Sequence, residues 1–116
     1  MGSLLVVTGP PGSGKSTVAK VLAEQVGPSA LIEGDQFFAF LAHDAIQPWL
    51  PESHQQNTVV VSAAAAATGR FACGGFFTVY DGVVGPWFLP TFGAATGLAE
   101  LDYVVLMPTV ETAWTV

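Results

Sequence analysis

Cationic side chains are almost missing from this sequence, with Lys15, Lys20 and Arg70 the only three among 116 residues. Three charges cannot build the basic patch that nucleic-acid backbones require, so a nucleic-acid partner is excluded. Cysteine is present once, as Cys73, which leaves no internal disulfide and suits a reducing compartment. The amino terminus has neither a basic segment nor a long apolar run before its first Gly-Pro turn, so no signal peptide is read there. The longest uncharged stretch, 82–99, is broken by Pro86, Pro90 and several glycines, and a membrane span is rejected. Together these absences point to a cytoplasmic protein.

What is present is apolar. Half of the residues are hydrophobic and 10% are charged, with a net charge of -6. Such a chain has ample material for one core and is read as a single domain, 1–116. An acidic protein repels free polyphosphate. A phosphate-bearing ligand would therefore need a divalent cation and a very local positive potential, which helix N-terminal N–H groups and one lysine can supply.

Residues 3–8 form a short apolar run closed by glycine and two prolines, the pattern of a strand buried on both faces. Val18, Val21, Leu22 and Val26 then fall at helical spacing, and Gly27-Pro28 stops that helix. A second strand is expected over 30–33, followed by a short helix through Phe37, Phe38, Phe40 and Leu41 that cannot pass Pro48. Ser53 and Gln56 have capping-box spacing and open a helix through the alanines 63–67, expected to close at Gly69. Strands follow at 75–81 and 103–107, with a short helix after Pro90 between them, and Pro108-Thr109 has the composition of a further helix start. Alternation of buried strands with helices implies an α/β fold on a parallel sheet with right-handed crossovers.

The chemistry is concentrated in Gly9-Pro10-Pro11-Gly12-Ser13-Gly14-Lys15-Ser16-Thr17, which fits the Walker A pattern of glycine, four residues, then Gly-Lys-Ser/Thr. At residue frequencies of roughly 5 to 7%, a chance match in such a chain is on the order of one in a few hundred. Its position between an expected strand and an expected helix directs backbone N–H groups and the positive helix end at one anion. Glycines at 9, 12 and 14 allow close phosphate approach. Lys15 is suited to bridging the β- and γ-phosphates of a nucleoside triphosphate, Ser16 to ligating magnesium, and Thr17 to the α-phosphate.

Asp81 ends the third strand, where it either holds the magnesium shell or only begins an Asp-Gly turn. Asp35 follows the second strand, either as a base for an acceptor hydroxyl or as a helix N-cap. Arg70, after a helix-closing glycine, reads as a solvated structural charge. Tyr80, Trp87, Phe88 and Phe92 are candidates for an acceptor pocket, or for core. His43 and His54 lack partners at zinc-ligand spacing.

The Walker A segment, Gly34-Asp35 and Val79-Tyr80-Asp81-Gly82 together resemble the P-loop small-molecule kinases. The similarity is to the chloramphenicol phosphotransferase, gluconate kinase and zeta-toxin-like group, often described as AAA-family ATPases. That resemblance implies a three-layer sandwich with core strand order 2-3-1-4, ATP and magnesium held by Lys15, Ser16 and Asp81, and Asp35 as the base acting on a small hydroxylated acceptor. Kinases of this kind continue past the fourth strand into an arginine-bearing lid and a fifth strand, which this sequence does not contain. A C-terminally truncated domain, self-association or a completing partner chain is therefore expected.

Overall fold

The computed structural model describes residues 3–107. The helix start expected at Pro108-Thr109 lies outside them. Four parallel strands, β1 (Leu4–Thr8), β2 (Ser29–Glu33), β3 (Phe77–Asp81) and β4 (Asp102–Val105), form one sheet in the order β2-β3-β1-β4. This is the 2-3-1-4 order that the resemblance implied. The register sets Val7 opposite Asp81 and Asp81 opposite Glu33, so the ends of β1, β2 and β3 meet along one carboxyl edge.

Period-two alternation divides the sheet residues between two cores. Val7 and Val79 point to the face covered by α1 (Lys15–Glu24), packing against Ala19 and Ala23. Leu4, Val6 and Tyr80 point to the opposite face, against Ala64, Ala65 and Ala72 of α2 (His54–Cys73) and Phe92 of α3 (Leu89–Thr96). Helices on both faces give the three-layer sandwich. The central strands β1 and β3 are buried almost throughout, whereas β2 and β4 are edges; β4 is mostly exposed, so uniform apolarity did not mean uniform burial.

Three local expectations are corrected. In α1 only part of the apolar row reaches the core: Val18 and Leu22 pack beside the buried Ala19 and Ala23, while Val21 and Val26 are half exposed. Alanine at those two positions lets the helix axis lie close to the strands, where a valine would hold it off. The helix ends at Glu24, before Val26.

Ser53 and Gln56 do not form a capping box. The Ser53 hydroxyl donates instead to the carbonyls of Pro48 and Leu50, and no side chain caps α2. The Gln56 amide is taken up by Ile46, accepting from its N–H at 2.7 Å and donating to its C=O at 2.7 Å. A long loop thereby satisfies its own backbone against the helix, and that demand outweighs the local cap.

Gly69 does not close α2, which continues one more turn to Cys73. It is buried mid-helix where α3 crosses, and a Cβ there would stand 2.0 Å from the Thr96 carbonyl oxygen. Glycine is present for closeness of approach, so a residue that usually signals a helix end marks a helix crossing here.

Candidate functional site

At the carboxyl edge β1 gives way to the glycine-rich turn. Gly12 and Gly14 have φ of 83° and 84°, a left-handed backbone that other residues adopt only under strain. Alternation of such residues with right-handed neighbours turns successive N–H groups inward as an anion-binding concavity. Gly9 is required for another reason: a Cβ on it would fall 2.7 Å from both the Leu106 carbonyl oxygen and the Ser13 hydroxyl.

Gly14 is the N-cap of α1, with no side-chain cap and no acidic residue in the first turn. The first helical bond runs from Val18 N–H to the Gly14 carbonyl at 3.1 Å, so the N–H groups of Lys15, Ser16 and Thr17 lack helical acceptors. The Ser13 Oγ is the one buried side-chain polar atom without a partner among the described residues. Unanswered donors, a positive helix end and an orphaned hydroxyl in one loop are the complement of a polyphosphate.

Thr8, the last residue of β1, fastens this turn to its neighbours. Its hydroxyl accepts from the buried Val84 N–H at 2.9 Å, and its carbonyl accepts from Leu106 N–H at 2.8 Å. Tyr103 donates to the Val84 carbonyl from the other side. Thr8→Val keeps the shape of the side chain but orphans the Val84 amide, and is expected to lower stability by about 1–3 kcal/mol in chemical denaturation.

Asp81 closes β3 and is only 7% exposed, with no ion pair among the described residues. Asp35 stands two residues beyond β2 and is exposed. It is not an N-cap: Glu33 takes that position, and Asp35 lies in the first turn of a 3-10 helix, Gly34–Phe40.

Between these acids lies Tyr80, whose contribution the sequence understated. Its ring packs edge-on against Phe92 at 4.8 Å between centroids. A Cβ on Gly34 would sit 2.0 Å from its hydroxyl, and one on Gly82 would sit 2.8 Å from its ring. Burial first, then the negative charges of Asp35 and Asp81, hold its phenol far above the ordinary tyrosine value. Its phenol stays protonated at neutral pH, as an ordinary tyrosine's does, and keeps an O–H to donate.

A cavity of about 690 Å3 opens beside the glycine-rich turn, touching Pro11, Asp35 and Tyr80. Trp87 and Phe88 line it, as the sequence allowed, but Phe92 is fully buried in the core and Asp81 is not among its walls. Arg70 is exposed in the last turn of α2, the position of a structural charge. His43 lies beside Asp44 on the surface, and no cluster of three or more metal-ligating side chains occurs among the described residues. No helix among them is long and apolar enough to cross a membrane.

Fold and turn define a P-loop NTPase. The chain belongs to the AAA family, the ATPase family associated with various cellular activities, whose sequence profile matches residues 5–71. No curated protein matches the sequence. Among solved structures it is similar to a sugar kinase from Janibacter sp. HTCC2649, with 21% identity and a TM-score of 0.79, covering 99% of this chain and 65% of that one. It is also similar to the APS kinase of Mycobacterium tuberculosis, solved with AMPPNP and APS, with 20% identity and a TM-score of 0.69 over 97% of this chain and 67% of that one. A chain of an RNA repair complex aligns at 18% identity and a TM-score of 0.64, covering 97% of this chain and 36% of its own. The chain thus spans about two thirds of the two kinases, and at these identities the likeness establishes the fold.

Proposed function

We propose that this chain is the nucleotide-binding core of a kinase that moves the γ-phosphoryl group of Mg-ATP to a hydroxyl of a small molecule. The observation that carries the reading is one carboxyl edge holding a phosphate turn, a buried carboxylate at Asp81 and an open pocket with Asp35 on its wall. The kinase neighbours and the resemblance to the chloramphenicol phosphotransferase and gluconate kinase group support it.

In this reading the N–H groups of the turn and Lys15 hold the β- and γ-phosphates, and Thr17 lies at the α-phosphate. Ser16 and Asp81 are the residues that would hold magnesium, and the ion would supply neutralisation of the phosphate charge. Asp35 accepts the proton of the acceptor hydroxyl as its oxygen bonds to the γ-phosphorus and the bond to the ADP oxygen breaks.

The test is ATP consumption across a panel of hydroxylated metabolites and antibiotics, comparing wild type with Asp35→Asn. The expected result is a loss of roughly 100-fold or more in acceptor-dependent turnover, with Mg-ATP affinity retained. Unchanged turnover in the variant removes Asp35 as base.

A second reading, a nucleotide-binding module or ATPase without its own acceptor, is favoured by the placement of Arg70. The sole arginine of the sequence stands in the last turn of α2, which leads into the amino end of β3, so it does not stand at the carboxyl edge that holds the phosphate turn. Mg-ATP binding by calorimetry, with hydrolysis that no acceptor raises, is the outcome that selects this reading.

A further inference from the structure

We propose that the open edge of β2 is a self-association surface, on which a second copy of this chain lays its own β2 antiparallel about a twofold axis through Leu31. Nothing in it depends on the kinase reading above.

A groove lies at the edge itself. Its volume is about 550 Å3, and both Leu31 and Ile32 border it. These neighbours point to opposite faces of the sheet, Leu31 to the core under α1 and Ile32, with Phe37, to the core under α2. A space bordered by both therefore runs along the free side of β2, the outermost strand. Phe40 also lines it and is 77% exposed, a large apolar ring turned mostly to solvent.

The main chain on that side is unpaired in the sheet. Phe77 N–H donates to the Pro28 carbonyl at 3.0 Å, and the parallel register carries that pattern along the strand, so Ala30 and Ile32 bond to β3. Ser29, Leu31 and Glu33 alternate with them and turn their main-chain groups outward. Exposed edges are commonly protected by lysine, proline or a bulge. Ser29-Ala30-Leu31-Ile32-Glu33 has neither residue and pairs with β3 in unbroken register.

Symmetry and charge select the occupant. An antiparallel pair centred on Leu31 sets Leu31 against its own counterpart and Ser29 against Glu33 of the second copy. All three are outward residues, so N–H meets carbonyl at every step, and Ala30 falls beside Ile32. The surface is thus its own complement, as a twofold interface requires. Residues 25–32 carry no charge in a chain of net charge -6, so two acidic copies meet here with little repulsion. The two Glu33 carboxylates lie at opposite ends of the seam, roughly 14 Å apart along the strands and beyond a Debye length at physiological salt. The glycine-rich turn follows β1, two strands in from the seam, so pairing leaves it open.

Sedimentation of the full chain over roughly a hundredfold range of concentration is expected to show a monomer–dimer equilibrium. Residue-resolved amide exchange locates the seam: as concentration rises, Leu31 and Glu33 are expected to exchange at least tenfold more slowly, while Ala30 and Ile32, already bonded to β3, stay unchanged. Charge placed at position 29 tests the register, because that residue lies directly opposite Glu33. Ser29→Lys is expected to associate at least fivefold more tightly than Ser29→Glu. Both variants lose the same hydroxyl bond to the Ala23 carbonyl, so that loss cancels between them. The same two substitutions at exposed Gln55 on α2 are expected to make no such difference. Phe40→Glu, at an exposed position, is expected to weaken association at least tenfold with the melting temperature retained. A chain monomeric throughout the range, a dimer whose Leu31 and Glu33 amides exchange as in the monomer, or equal association of the two Ser29 variants overturns the assignment.

Discussion

Lys15→Ala is expected to weaken Mg-ATP binding by about 2–3 kcal/mol, roughly 30- to 150-fold in dissociation constant, because a hydrogen bond to a charged partner is removed without replacement. The loss is at the upper end because nothing nearby substitutes for the ammonium. The chain holds two other cations, one on α1 beyond the turn and one at the end of α2, against nine acidic residues. Lys15→Arg would restore the charge but not the point geometry, since a planar guanidinium is bulkier than an ammonium. Calorimetric titration of both variants checks the result. An alanine variant that binds Mg-ATP like wild type would remove Lys15 from the nucleotide site.

The second large effect is structural. Gly69→Ala introduces a Cβ that would stand 2.0 Å from the Thr96 carbonyl oxygen and 2.7 Å from its carbonyl carbon. These are main-chain atoms of α3, so no side chain can rotate away and the two helices must separate. Helix propensity works in the opposite direction, since alanine in a helix interior is worth up to about 1 kcal/mol over glycine. Overpacking at a backbone contact costs about 3 kcal/mol or more and wins. A net loss of about 2 kcal/mol corresponds to a fall in melting temperature of roughly 8–16 °C for a domain near this size. A variant melting at or above wild type would show that α2 and α3 can separate at no cost.

The phosphate turn was legible in the sequence because its chemistry leaves few alternatives. Positive φ at Gly12 and Gly14, and a crowded Cβ position at Gly9, admit little besides glycine, so the pattern carries its own geometry. Strand positions were legible to within two residues, because apolar runs ending in turn residues register in any window. The strand order came from resemblance, since nothing in local composition places β3 between β1 and β2.

What stayed hidden depends on contacts far apart in sequence. Gly69 answers to Thr96, Gln56 to Ile46, and Gly34 to Tyr80. At Gly69 and Gln56 the local signal was a valid alternative that a distant partner overrode, and at Gly34 the sequence carried no signal of the contact. The aromatic pocket was only half visible for the same reason: Phe88 and Phe92 are four residues apart, yet one lines the cavity and the other is core. The apolar row of α1 was half right, since Val18 and Leu22 reach the core while its fully buried centre is Ala19 and Ala23, where close helix-on-sheet packing favours the smaller side chain.

The Tyr80 ring, held in the space that side chains at positions 34 and 82 would fill, divides the cavity into parts with different freedom to diverge. Its floor is set by strand register and by two main-chain segments, so it cannot deepen without disturbing β3. The rim carries Trp49 and Trp87 on connecting segments where substitution leaves the sheet untouched. Descendants of this sequence would therefore reshape the cavity at its mouth, while the distance from floor to glycine-rich turn stayed constant across them.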